Sequence, residues 1–190
     1  MGKLVVTEFV SLDGVMEDPG GAEGYVHGGW TFKFDRDADG NKFKLDELAT
    51  ADAQLLGRRT YEGFAKAWPS IKDEAGFADR MNSMPKFVVS KTLGTADWNN
   101  TTVLAGDLAE DVMKLKEQFA GNILVAGSAQ LVQGLLEHEL VDELHLMVFP
   151  VALGTGKRLF ADDAALRTFE LAETRQMGAV AVLTLKRAAS

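Results

Sequence analysis

The stretch NILVAGSAQLVQGLLEHELVDELHLMVFPV, residues 122–151, decides the fold. Its first five residues form a short apolar run of the length of a strand buried on both faces. Gly127 breaks the run, and Ser128 stands where a helix N-cap belongs. Leu131, Val132, Leu135 and Leu136 then recur at helical spacing, and Glu143 to Val151 reads as a second strand. Strand, helix and strand joined by short turns is the unit that builds a parallel sheet with a crossover helix on its face.

Upstream the same alternation repeats. Lys3 to Val10 is a β-branched first strand, and the Gly-rich run from Pro19 to Trp30 is a long loop. A helix is expected over Phe43 to Ala51, a buried strand over Ala53 to Leu56, and a helix over Arg58 to Trp68 that Pro69 stops. That helix carries Tyr61, Phe64, Ala65 and Trp68 on one face, a core stripe. KFVVS (86–90) and TTVLA (101–105) are two more strands, after which Asp107 caps a helix with Leu108, Val112, Leu115 and Phe119 in phase. Downstream, Thr168 to Arg175 and Ala179 to Lys186 read as a hairpin around Gly178. The sum is an α/β fold, a mostly parallel central sheet with an antiparallel C-terminal hairpin, in one domain over 1–190.

Composition narrows the function. A formal charge of -8 over 190 residues argues against a nucleic-acid surface, which needs clustered Lys and Arg. The absence of cysteine excludes disulfides, thiolate metal sites and a thiol nucleophile. MGKLVVTEFV is too short an apolar run, broken at Glu8, to be a signal peptide or membrane span. A cytoplasmic protein with a small-molecule substrate and neither nucleic-acid nor membrane partner is expected.

Three strand ends carry small, polar or basic residues: Gly57-Arg58-Arg59-Thr60, Ser90-Lys91-Thr92 and Ala126-Gly127-Ser128-Ala129. In a parallel sheet such ends share one edge, where ligands bind. Free N–H groups after Gly57 and Gly127 suit an anion, and Arg58, Arg59 and Lys91 add full charge. A nucleotide diphosphate fits that description. Other motifs are discounted. Asp35 to Asp46 mimics a calcium loop, but Lys42 takes its apolar position, Asp46 replaces the bidentate Glu, and no good helix precedes it. Gly154-Thr155-Gly156 lacks the third glycine of a dinucleotide fingerprint, and His27, His138 and His145 lack metal-ligand spacing, so no metal site is expected.

VSLDGVME (10–17), LLGRRTYEGFAKAWP (55–69), KFVVSKTL (86–93) and ILVAGSAQLVQGLLEHELVDELHLMVFPVALGTGKRLF (123–160), in this order, resemble the reductase domain of the bifunctional riboflavin-biosynthesis enzyme, within the dihydrofolate reductase-like superfamily. The resemblance covers nearly the whole chain. It implies a three-layer α/β/α fold, a homodimer and NADPH across the sheet edge. Gly57, Arg58 and Thr60 would lie near the phosphates, Ser90, Lys91 and Thr92 near the 2′-phosphate, and Gly127, Ser128 and Ala129 under the diphosphate. Where the family commonly has two adjacent glycines, this chain has Ala126 and Gly127. On the substrate side the resemblance places Asp13 and Gly14 near the reacting carbon, with Pro150, Leu153, Gly154 and Gly156 as the opposite wall and Trp30 and Glu62 as neighbours. Asp13 is the expected proton donor, with Glu62 second. The implied reaction is the ribosylaminouracil phosphate reduction of riboflavin synthesis. The alternatives are dihydrofolate reduction or that of another small heterocycle, and NADPH binding without catalysis. The zinc deaminase half is excluded, because its PC-x-x-C ligands need cysteine.

Overall fold

In a computed structural model, which describes residues 1–162 and 165–188, eight strands form one sheet. They are β1 Lys3–Ser11, β2 Ala51–Gly57, β3 Lys86–Val89, β4 Thr101–Leu104, β5 Asn122–Ala126, β6 Glu143–Phe149, β7 Phe169–Met177 and β8 Val180–Arg187. The α-helices are α1 Asp37–Thr50, α2 Arg58–Ala67, α3 Phe77–Ser83, α4 Leu108–Gln118 and α5 Ala129–Glu137. The strand order is β4-β3-β2-β5-β1-β6-β8-β7. The first six strands run parallel, and β8 is antiparallel to β6 and β7.

Alternation along the central strands explains the three layers. Side chains of successive strand residues point to opposite faces. Leu4, Val6, Leu55, Ile123 and Val125 pack on the side of Val112 and Leu115 in α4 and Val132 and Leu135 in α5. Val5, Leu56 and Leu124 pack on the other side with Leu48 of α1, Tyr61 of α2 and Met81 of α3. Both faces are therefore covered, which is why β5 reads as a near-continuous apolar run and β1 opens on one, Leu4-Val5-Val6. A third cluster joins Trp30 to Met147, Phe149, Met177, Val180 and Val182 and ties the long first loop to the hairpin end of the sheet.

The structure extends and corrects the reading in three places. α1 begins at Asp37, six residues before the expected start. Asp35 and Asp37 accept backbone N–H bonds from Asp37, Asp39 and Gly40, so the acids nucleate a helix instead of a calcium loop. α3 was not expected at all. Its start is held by Asp73, whose carboxylate accepts from the N–H groups of Phe77 and Ala78, and its end by Lys86. The fully buried Lys86 ammonium donates to the carbonyls of Met81, Asn82 and Met84 and lies 4.4 Å from the Trp98 ring centroid. Finally, β6 stops at Phe149, with Pro150 outside the strand.

No helix among the described residues is long and apolar enough to cross a membrane.

Candidate functional site

Because β2, β3 and β5 are parallel neighbours, their C-terminal ends come out along one rim. Hydrogen bonds and close contacts stitch this rim together. The Gly57 N–H donates to Ser128 Oγ at 2.9 Å, across 71 residues of chain. Arg58 Nη1 donates to Thr92 Oγ1 at 2.7 Å. Gly127 abuts Thr60 so closely that a Cβ there would sit 3.0 Å from Thr60 Oγ1. Thr60 and Ser128 thus meet on one surface, joined through Gly57 and Arg58 to the Lys91-Thr92 turn.

The turn at the end of β5 explains its sequence. Gly127 has φ +64° and Ser128 φ +64°, ψ +48°, two left-handed residues in succession. The Gly127 N–H turns inward to Glu8 Oε2 at 3.0 Å, and the N–H groups that follow it, at the start of α5, are left for an anion. Gly127 avoids the Cβ penalty of the left-handed conformation. Ala126 is extended strand, paired with Thr7 of β1, so alanine in place of the family's first glycine strains nothing. Ser128 corrects the sequence reading: it occupies the N-cap position of α5 but its side chain caps nothing, being spent on Gly57. Gly57 itself is needed for that approach, since a Cβ would meet Ser128 Oγ at 3.2 Å.

The helix starts along this edge of the sheet are not capped alike. Asp107 caps α4 by accepting from the N–H groups of Ala109 and Glu110, as expected. No side chain caps α2 or α5. Their positive ends and unsatisfied N–H groups face the rim. Around them stand Arg58, Arg59 and Lys91, all exposed. Arg59 and Lys91 make no ion pair among the described residues, while Arg58 is shared between Thr92 and Glu62 Oε1, the latter at 2.7 Å. Ser90 is buried and accepts from the N–H groups of Thr92 and Leu93, shaping the turn that displays Lys91 and Thr92. Ala129 is the buried first residue of α5.

Along the rim at β1 and β6 the loops carrying SLDG and the 150–158 segment are clasped to each other. Asp13 Oδ1 accepts from Ser11 Oγ at 2.6 Å and from the Leu153 N–H at 3.0 Å, and Oδ2 accepts from the Gly154 N–H at 2.7 Å. Arg158 donates to the Asp13 carbonyl, Lys157 pairs with Glu17, and Tyr25 OH donates to the Thr155 carbonyl near Gly156. The two segments therefore form one continuous wall, correcting the expectation of two opposed walls. Gly14, Pro150, Leu153, Gly154 and Gly156 all belong to that wall.

Neither expected proton donor is placed as one. The Ser11 hydroxyl first, then the Leu153 and Gly154 N–H groups, hold the Asp13 carboxyl down at about 2, so it is ionised at neutral pH. Glu62 sits on α2, bound to Arg58. It faces an open groove of about 730 Å³ that it lines with Tyr61, Lys66, Leu93 and Trp98, and no residue of the Gly127 turn or the Asp13 wall lines that groove. Trp30 is also corrected: it is fully buried, donates from Nε1 to the Glu17 carbonyl and packs edge-on to Phe149. It is core, out of a substrate's reach.

The role of one residue is absent from the sequence reading. Glu8, in the middle of β1, is 5% exposed, and its Oε2 accepts from the Gly127 N–H at 3.0 Å while Oε1 is buried without a partner. Its only signal was an acid inside an apolar strand. Among the described residues no cluster of three metal-ligating side chains exists.

Comparisons with known proteins give the family and the fold. The RibD C-terminal domain family matches residues 2–183. Uncharacterized protein YyaP of Bacillus subtilis (strain 168) is 29% identical over 176 residues, 91% of this chain and 88% of that protein. A putative riboflavin biosynthesis protein from Shewanella sp. PV-4 superposes with a TM-score of 0.76 at 21% identity, over 98% of this chain and 99% of the other. RibD of Acinetobacter baumannii superposes with a TM-score of 0.66 at 15% identity, over 100% of this chain and 59% of its own. At such identities the two structures speak for the shared fold.

Proposed function

The chain belongs to the RibD C-terminal domain family, and from that premise we propose that it is an NADPH-dependent reductase of a pyrimidine or pterin-like small molecule. One observation carries the proposal: a single rim joins two uncapped helix starts, a left-handed Gly127-Ser128 turn and the cations Arg58, Arg59 and Lys91. These groups fit a phosphorylated dinucleotide. The α5 turn, with Gly127, Ser128 and Ala129, would hold the diphosphate, and Gly57 and Thr60 at the start of α2 would hold its other side. Arg58, Lys91 and Thr92 would hold a 2′-phosphate, where an NAD-type site would offer an acid to the ribose. Of the acids near these cations, Glu62 is already engaged by Arg58 and Asp107, close enough to act on Lys91, is engaged in capping α4.

NADPH, when bound, supplies a hydride. The chain's own contribution is to orient it and to shape the substrate side. The Asp13-centred clasp fixes the wall made by residues 11–17 and 150–158, keeping its geometry constant while a substrate binds. An ionised Asp13 supplies negative charge and position there, and no proton. By name, the Shewanella and Acinetobacter structures point to riboflavin synthesis. Extended to this chain, that makes the ribosylaminouracil phosphate the first substrate to try.

The test is steady-state oxidation of NADPH with 5-amino-6-(5-phosphoribosylamino)uracil and with dihydrofolate, paired with direct binding of NADPH and NADH. Turnover on the first substrate with preference for NADPH is the expected result. Turnover on dihydrofolate alone moves the chain to another small heterocycle, binding without turnover leaves a dinucleotide-binding protein, and no binding refutes the proposal.

A further inference from the structure

A buried acid under a candidate anion site needs a reason. Desolvating a carboxylate is costly unless it is paired and fully hydrogen-bonded. Glu8 is neither: one oxygen takes a single N–H, that of Gly127, and the other takes none. An apolar residue at this position of β1 would pack between Val6 and Val10 without that cost, as its neighbours on the same face do. Yet the Gly127 N–H is the donor that would be orphaned, and it belongs to the turn that leads into α5.

We infer that Glu8 is a positioning residue for an anionic ligand on this rim: its carboxyl grips the Gly127 amide from below, and its charge decides how well the α5 turn holds a diphosphate. The inference rests on the dinucleotide reading of the rim. Uncharged, the carboxyl accepts the Gly127 N–H, fixes the turn's left-handed geometry and leaves the positive end of α5 for the ligand. Ionised, it sets a full negative charge behind that turn, opposing any diphosphate in front of it.

The groups that act on Glu8 divide. Burial pushes its carboxyl well above the usual range, while the Gly127 N–H and the Lys44 ammonium of α1 favour ionisation and the Glu47 carboxylate of α1 opposes it. Glu47 is itself held by Thr7 Oγ1, Lys44 and His145 of β6 on the opposite face of the sheet. On its own face Glu8 meets the positive end of α5, a dipole that also favours ionisation. Ligand and Glu8 are then linked reciprocally: a bound diphosphate keeps the carboxyl protonated, and deprotonation weakens the diphosphate.

The experiment compares wild type with Glu8→Gln, which keeps an oxygen for the Gly127 N–H and cannot ionise. NADPH is titrated against both across the pH range in which the Glu8 carboxyl titrates, located by ¹³C NMR of the ligand-free protein. Wild type is expected to lose affinity relative to Glu8→Gln by at least about tenfold across that range, because only it gains a charge. Glu8→Leu, which orphans the Gly127 amide, is expected to bind weakly at every pH. A residue that merely supports the fold would leave the two pH profiles parallel, and that result overturns the inference. Ligand-free protein gives an independent reading. In the ¹³C NMR spectrum the Glu8 carboxyl should titrate far above other glutamates, and titration in the ordinary range also overturns the inference. If wild type fails to bind NADPH at any pH, it is the dinucleotide reading that fails, whatever Glu8 does.

Discussion

Replacing Asp13 by asparagine separates two roles for a carboxylate at the substrate wall. In the structure Asp13 receives three donors, the Ser11 hydroxyl and the Leu153 and Gly154 N–H groups. An asparagine can turn its oxygen to one loop N–H but then presents its own NH₂ to the other, and an unsatisfied donor costs about 1–3 kcal/mol. The charge adds to this. A carboxyl that titrates at about 2 when folded and at 3.8 otherwise contributes stability above the higher value and loses it as pH falls through the lower. The difference bounds that contribution at about 2.4 kcal/mol. Because solvent reaches this side chain, a contribution on the order of 1 kcal/mol is expected. Urea denaturation should therefore show Asp13→Asn less stable by roughly 1–3 kcal/mol at neutral pH. The gap should narrow as pH falls from about 4 towards about 2, where wild type gives up its charge. Turnover decides the role. Loss of a general acid costs about 10²–10⁴-fold, whereas a loosened clasp should cost less than about tenfold in kcat per folded molecule and show mainly in KM. A hundredfold loss of kcat at unchanged stability would refute the clasp and restore Asp13 as the donor.

Other consequences are briefer. Gly127→Ala places a Cβ at φ +64° against Thr60, costing about 1–2 kcal/mol in backbone strain alone, and should weaken NADPH several-fold as the turn shifts; thermal melts with and without NADPH would show both. Ser128→Ala orphans the Gly57 N–H at a cost of about 1–3 kcal/mol, whereas Asp107→Ala removes the α4 cap together with an acid that acts on Lys91, and should leave dinucleotide affinity no weaker in a binding titration. If Arg58 holds the 2′-phosphate as proposed, Arg58→Ala should weaken NADPH about tenfold and NADH little; equal losses for both would place Arg58 elsewhere. Trp30→Ala should destabilise the fold by about 3–5 kcal/mol, as expected of a fully buried indole, and its effect on turnover should vanish once unfolded protein is subtracted.

The sheet was legible because its strands announce themselves. Runs such as NILVA and LVV are apolar on both faces only when helices cover both, and turn residues at Gly57, Ser90 and Gly127 mark where each strand ends. α3 was hidden because seven residues are too few for a helical period to show, and its ends are held by Asp73 and Lys86, from outside it. The first turns of α1 were hidden by Asp35, Asp37 and Gly40, residues that favour turns as much as helix starts. At the site, the placement of the three strand ends followed from the parallel topology, but how each side chain is used did not. Ser128 resembles a cap and is a bridge, and Asp13 resembles a catalytic acid and is a clasp. Trp30 lies in a Gly-rich loop and is core, and Glu8, which reads only as a break in an apolar strand, lies under the Gly127 turn. Each depends on a partner at least 71 residues away or on burial, which local pattern does not encode.

A crystal structure with NADPH bound measures the central claim most directly. The diphosphate should lie on the N–H groups following Gly127, with the 2′-phosphate among Arg58, Lys91 and Thr92 and the nicotinamide towards the Asp13 wall. Finding the dinucleotide instead in the groove between Glu62 and Trp98, with the Gly127 turn empty, would contradict it.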